Sequence, residues 1–347
     1  MTTCKVAIVL LNWNGKDLLE KFLPSVVRYS NHKNYKVIVA DNGSTDSSLA
    51  FLSASYPAVQ QIVLDKNYGY TGGYNRALKQ VGAEYYVLLN TDVEVTPEWL
   101  TPVLSYMDSH PDTAVCMPKI RSYKEQHKFE YAGAAGGFID KYGYPFCRGR
   151  ILNNVEDDKN QYNDACEIFW ASGACMVVRS SVFWQTGGFD ESFFAHMEEI
   201  DLCWRIKQLG YEIVCIPHSI IYHLGGGTLS YDNPRKLYYN HRNNLYMLYK
   251  NLPQKRFKRR IFSRLLLDGL SGIVYLLSLK LKAFRALLKA HKDYRKHKPQ
   301  LKRQRQQLQQ TAVTDNVRGI FLYSIVWKFY SKGKRLKFSD LNLDKKN

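Results

Sequence analysis

The sequence predicts an α/β protein: a doubly wound, mainly parallel sheet over residues 1–250, followed by a basic helical extension over residues 251–347. Three observations carry this expectation. Strand-like runs at Val6–Leu11, Tyr35–Ala40 and Tyr86–Leu89 each stop abruptly in a polar turn, as buried strands do where they reach the edge of a sheet. Segments with helical spacing lie between them, giving the strand–helix–strand order of crossover units. Charge is also split: residues 1–250 carry 24 basic and 26 acidic side chains, residues 251–347 carry 25 and 5.

With 347 residues and 45% hydrophobic side chains, the chain can bury a large core and still carry an appendage. The formal charge of +18 belongs to the tail and implies an anionic partner there, a membrane surface or nucleic acid. No recognised nucleic-acid-binding motif accompanies it, which favours the membrane. Seven scattered cysteines without a CxxC pair fit reduced cytosolic thiols better than disulfides or a zinc site. Val6–Leu11 is too short for a signal-peptide core and reads as a strand.

The first strand ends in Asn12-Trp13-Asn14-Gly15, and a helix follows over Asp17–Tyr29, bent at Pro24. The second strand ends in Asp41-Asn42-Gly43-Ser44-Thr45-Asp46, with a helix through Leu52 and a third strand at Gln61–Leu64. Asn67–Asn75, NYGYTGGYN, reads as a glycine-rich loop opening a helix over Asn75–Val81, where backbone can approach a ligand. Its spacing is neither that of a Walker A loop nor of a dinucleotide fingerprint. Residues 121–165 lack a period and read as a long excursion beside the site. A strand over Glu212–Ile216 leads to Ile220–His223, and three glycines follow.

Chemistry concentrates at the strand ends, where open α/β sheets bind ligands. Tyr86–Leu89 delivers Asp92 to such a tip, with Glu94 two residues on, so two carboxyls could share a divalent cation with a diphosphate. His223 reads equally as a metal or phosphate contact or as a turn histidine. Trp170 and Gly173 suggest an aromatic wall with exposed backbone, or a packed core. Glu198, Glu199 and Asp201 open a helix, where acids compensate the dipole. Adjacent carboxyls also split in pKa, which can leave one a base near neutral pH.

In order and spacing, DNGSTD at 41–46, NYGYTGGYN at 67–75, NTDVEV at 90–95, WASGACMVVR at 170–179, EEIDLCWR at 198–205 and His223 together resemble the family 2 glycosyltransferases, in their bacterial rhamnosyltransferase-like branch. The likeness spans roughly residues 5–250. It implies the GT-A fold and inverting transfer of a sugar from a nucleoside diphosphate, dTDP- or UDP-linked, to a hydroxyl of a glycan or lipid-linked acceptor. It implies Asn12 and Asn14 beside the base, Asp41 accepting the N3–H of uracil or thymine, and Asn67, Gly73 and Asn75 lining the nucleoside. Asp92 matches the last acid of the family's DxD motif and would bind Mg2+ or Mn2+. Asn90 stands where the first acid is expected, as a neutral oxygen ligand, and Glu94 and His223 would complete the shell. Glu199 matches the catalytic base, with Glu198 its competitor, and Trp170, Gly173 and Asp201 fall on the acceptor side.

The tail carries Lys255, Arg256, Lys258, Arg259, Arg260 and Arg264, then the largely apolar Leu265–Leu279, too short to span a bilayer. Leu277, Leu281, Phe284 and Leu288 share one helical stripe, as suits peripheral attachment to the anionic inner face of a cell membrane. A hairpin packed on the catalytic domain, with a solvated basic face, is the competing expectation. Rival functions are a sugar-nucleotide nucleotidyltransferase, which would show a basic glycine-rich loop after the first strand, and a non-catalytic sugar-nucleotide-binding protein.

Overall fold

The computed structural model describes residues 4–225, 233–315 and 317–341. The chain begins β1 (Cys4–Asn12), α1 (Lys16–Tyr29), β2 (Tyr35–Asp41), α2 (Ser48–Ser55), β3 (Gln60–Val63), α3 (Gly69–Leu78) and β4 (Ala83–Leu89). β3, β2, β1 and β4 are parallel neighbours in that order. Val6–Leu10 of β1 are buried because helices cover both faces. The glycine-rich segment is not a loop. Residues from Gly69 onward already form α3, and their small side chains let the helix lie close on the sheet.

Next come β5 (Val93–Val95), α4 (Thr101–Ser109) and β6 (Thr113–Ser122). The irregular excursion is a small second sheet of β7 (Gly137–Asp140), β8 (Pro145–Cys147), β9 (Arg150–Ile151) and β10 (Asn154–Val155). The chain returns to the main sheet through β11 (Cys166–Glu167) and β12 (Cys175–Arg179), then runs through α5 (Ser180–Gln185), α6 (Glu198–Gln208) and β13 (Glu212–His223). Among the described residues the main sheet has nine strands, eight of them in the order β11-β13-β6-β12-β4-β1-β2-β3, with β5 paired to β13. The parallel expectation holds for the first half, whereas β12 runs antiparallel to both β4 and β6. Pro217 and His218 do not end β13, whose register shifts between Ile216 and Ile220 instead.

The tail is helical: α7 (Pro234–Asn251), α8 (Gln254–Leu277) and α9 (Leu281–Thr311) precede β14 (Ile320–Phe321) and α10 (Ile325–Ser331). It is knitted into the body. α9 packs along α7, and β14 adds a parallel strand to the edge of β7. No helix among the described residues is long and apolar enough to cross a membrane.

Candidate active site

The C-terminal ends of β1, β2 and β4 form one rim. Asn12 lies opposite Asp41 in the ladder and donates its amide to Asp41 Oδ2 at 3.0 Å and to Ser44 Oγ at 3.2 Å. The Ser44 amide donates to Asp41 Oδ1 at 2.9 Å. Asn14, at φ 49°, accepts the Thr45 amide on its side-chain oxygen at 2.7 Å, which locks one turn on the other. Asn12 Oδ1 is buried without a donor, a costly state in an empty site and a satisfied one beside a ligand N–H. Asn67 accepts the Gly69 amide at 2.8 Å and so starts α3.

Beyond β4, Asn90 is half-buried and its backbone N–H donates to Ala174 at 3.0 Å. Asp92 Oδ1 lies 3.1 Å from His223 Nε2, and the other ring nitrogen, Nδ1, lies 3.4 Å from Glu130 Oε2. Burial alone would discharge His223, but the Glu130 and Asp92 carboxylates outweigh it and lift the ring to about 10. A divalent cation would compete with that proton. A carboxylate oxygen and an imidazole nitrogen suit a Mn2+- or Mg2+-class ion whose other ligands are phosphate and water oxygens, so this pair fits the expected metal. Glu94 does not join it. In the β5–β13 ladder Glu94 pairs with Tyr222 and Val93 with His223, so strand alternation turns Glu94 to the face opposite His223. Among the described residues no three His, Cys, Asp or Glu side chains converge as a ready-made metal cage. The glycine run after His223 continues into residues 226–227, outside the described residues.

Glu198 and Glu199 open α6 after a loop with left-handed backbone at Phe194, His196 and Met197. Each glutamate has a buried Oε2 without a hydrogen-bond partner. Burial pushes Glu199 up to about 7. Burial and then the Glu199 charge push Glu198 well above the usual carboxylate range. Both carboxyls act on Tyr70, whose hydroxyl donates to the Gly173 carbonyl at 3.0 Å. Gly173 adjoins Ala174, the residue that holds Asn90, so Tyr70 links the glutamate pair to the end of β4. Beside His223 opens a cavity of about 530 Å3, lined by Glu130, Tyr131, Asn153, Asn154 and Lys236 among others.

The family model "Glycosyl transferase family 2" matches residues 7–187, more than half the chain, from within β1 to just past α5. The chain belongs to this family. The transferase is 27% identical over 232 residues to the N-acetylglucosaminyl-diphospho-decaprenol L-rhamnosyltransferase of Mycobacterium tuberculosis, across 62% of this chain and 75% of that protein. It is 26% identical over 228 residues to rhamnosyltransferase WbbL of Escherichia coli, across 62% and 83% of the two chains. Its fold matches the mannosyltransferase PcManGT of Pyrobaculum calidifontis, solved with GDP-Man and Mn2+, at TM-score 0.51 and 12% identity over 91% and 88% of the chains. The fold is GT-A, and the protein is a glycosyltransferase.

Four expected contacts of the transferase are structural instead. A Cβ on Gly73 would meet the Leu11 side chain at 2.8 Å, so this glycine serves close packing of α3 on β1. Asn75 donates to the Phe189 carbonyl at 2.9 Å and accepts the Phe189 N–H at 3.0 Å, tying α3 to the segment before α6. Trp170 is buried with its ring against Gly137, its indole N–H donating to the Phe138 carbonyl at 2.9 Å. Asp201 is fully buried and accepts from Arg205 at 2.9 Å, Lys250 at 3.0 Å and Asn251 at 2.8 Å.

Sequence reasoning missed Glu130, a lone acid in an irregular stretch. It also missed Asn243 of α7, whose amide donates to the carbonyls of Phe193 at 3.0 Å, Ala195 at 2.8 Å and His196 at 2.7 Å. This single side chain clamps the left-handed loop that presents Glu198 and Glu199, with Arg242 donating to Ser192 and Phe193 at 2.9 Å each. Nothing in the sequence around Asn243 signals that role.

Proposed function

We propose that this transferase moves a hexose, rhamnose being favoured, from a dTDP- or UDP-linked donor to a hydroxyl of a lipid-linked glycan acceptor, with inversion. The observation that carries this reading is the Glu198–Glu199 pair, each with one buried oxygen left unbonded among the described residues, together with the Asp92–His223 contact beyond β4. The rhamnosyltransferase relatives support the sugar, the decaprenol-linked substrate in one of their names supports the acceptor, and the Mn2+ in the mannosyltransferase structure supports a divalent metal.

In this reading the base end of the nucleotide rests on Asn12, Asn14 and Asp41, with Asn67 beside the ribose. Asp92 and His223 would hold the cation, Asn90 would offer a further oxygen, and Glu130 orients His223 from behind. A bound cation would supply positive charge opposite the departing diphosphate. The acceptor enters through the cavity beside His223 and along Gly173. Its oxygen forms the new bond to the anomeric carbon on the face opposite the diphosphate, whose C–O bond breaks. Glu199 takes the acceptor proton, because at about 7 its carboxyl exchanges a proton near neutral pH, whereas burial and the Glu199 charge hold Glu198 well above the usual carboxylate range. One displacement with one base inverts the anomeric centre. A lipid-linked acceptor puts this work at the inner face of the cell membrane.

The test is turnover of dTDP- and UDP-sugars with Mn2+ and a polyprenyl-diphosphate-linked sugar, with the product's anomeric configuration read by NMR. Inversion with loss of rate in EDTA is expected. Retention of configuration, or full activity in EDTA, would sink the reading. Donor binding without hydrolysis or transfer would instead favour a non-catalytic binding protein.

A further inference from the structure

α8 is amphipathic in the wrong sense for a helix on a soluble protein. Its inward face carries Arg260, Arg264 and Asp268, all buried. Asp268 is a hub: Arg264 Nη2 lies 3.0 Å from it, His241 of α7 3.1 Å and His291 of α9 3.0 Å. Burial would raise the Asp268 carboxyl, but Arg264 and the two histidines hold it well below the usual range. These ion pairs fix α8 in rotation against both neighbouring helices.

The outward face is therefore committed, and it is apolar. Phe262, Leu266, Leu270, Ile273 and Leu277 stand exposed at three- and four-residue spacing, Phe262 at 63% and Leu277 at 81%. A surface helix normally buries such a stripe, and contiguous exposed apolar patches mark interaction sites. Lys255, Arg256, Lys258 and Arg259 are exposed at the start of the same helix. Past its end, the turn into α9 exposes Leu279 and Leu281 alternating with Lys280 and Lys282. An apolar ridge of about 23 Å, counting 1.5 Å for each step from Phe262 to Leu277, thus lies between two groups of cations.

We propose that the outer face of α8, with the α8–α9 turn, is a docking surface for an anionic phospholipid leaflet, the helix lying in the headgroup plane with Leu266, Leu270 and Leu277 among the acyl chains. Charge complementarity selects this occupant, since the ridge is bracketed by lysine and arginine at both ends and broken by no acid on its outer side. Of the stripe expected from sequence, Leu277 closes α8, Leu281 and Leu288 of α9 are exposed as well, and only Phe284 is half-buried. A second patch fits the same role. Trp327 is 77% exposed on α10, and the Ile325 amide at the start of α10 donates to Asp140, two residues from the Tyr142 carbonyl that accepts from Arg264 of α8. Aromatic side chains of this kind settle at the water–lipid boundary.

The inference rests on the proposed lipid-linked acceptor but fails separately from it. The full chain is sedimented with phosphatidylcholine vesicles with and without phosphatidylglycerol, beside the double variant Leu266→Glu/Leu270→Glu and the variant Arg256→Gln/Arg259→Gln. The glutamate variant should lose at least about tenfold in partitioning. The glutamine variant should lose about fivefold per charge at low salt, and only on phosphatidylglycerol. Donor hydrolysis without vesicles should be unchanged in both, which reports on the active site alone. Equal sedimentation of wild type and the glutamate variant would overturn the proposal, as would binding indifferent to phosphatidylglycerol. A wild-type dimer that the glutamate variant converts to monomer, without vesicle binding, would assign the face to a second copy of the chain and equally overturn it.

Discussion

Four acids sit on or beside the first turns of α6, and their fates divide in two. Asp201, with Asp190 upstream, is enclosed by donors: Lys250 Nζ lies 2.5 Å from Asp190 and 3.0 Å from Asp201, the Gln304 amide of α9 donates to Asp190 at 3.0 Å, and Arg205 closes the other side of Asp201. Burial would raise the Asp190 carboxyl, but the Lys250 ammonium holds it well below the usual range. Glu198 is buried and Glu199 half-buried, yet no cation among the described residues pairs with them, and both are pushed upward. Burial is common to the two pairs, so it is the partner that separates an acid that holds the fold from one poised to exchange a proton.

The largest expected effect breaks the orphan pair. Glu199→Gln should lower turnover by about 10^2–10^4, the span of a lost general base, while calorimetry shows donor binding intact. Glu198→Gln should cost far less. Its activity should keep the wild-type acid limb, in which kcat/KM falls as pH drops through about 7 and Glu199 takes up its proton. If Glu198→Gln carries the large loss and Glu199→Gln does not, the roles are reversed.

Breaking the partnered pair should leave a different mark. Lys250→Met strands the Asp190 carboxylate and leaves Asp201 to Arg205, and should cost about 3–5 kcal/mol of stability, seen as a lower Tm, with turnover per folded molecule preserved in the cold. A smaller effect is expected at the metal edge, where Glu130→Gln should weaken Mn2+ binding by about 10–100-fold, as outer-shell partners of ligating histidines do. Titration by electron paramagnetic resonance checks this without any turnover. The mildest change is Asn243→Ala, which strips the donor from the Ala195 and His196 carbonyls while Phe193 keeps Arg242. It should lower kcat by about tenfold with donor KM unmoved, because the loop it releases carries the base and not the nucleotide. An equal fall in Tm and no change in kcat would make Asn243 structural only.

What the sequence disclosed follows from how locally each feature is encoded. β1, β2 and β4 were legible because an apolar run ending in Asn or Asp needs only its own residues to be recognised. The acidic start of α6 was legible for the same reason, but whether each acid would be partnered was not. Lys250 lies 49 residues from Asp201 along the chain, and nothing in composition joins them. Gly73, Asn75 and Trp170 were assigned to ligand contact because the residue types that approach ligands also pack helix on sheet. The small second sheet escaped notice because its strands run two to four residues, too few for alternation to register, and one of its edges is supplied from near residue 320.

That borrowed edge bears on how the tail may be altered. β14 caps the open side of β7, and α9 shields α7, so cutting the chain after α7 would bare a row of unpaired amides together with a greasy helix flank. A truncated protein would then come down with any pellet, lipid present or not. Only single-residue changes on the outward surface can tell a lost anchor from a protein that has begun to aggregate.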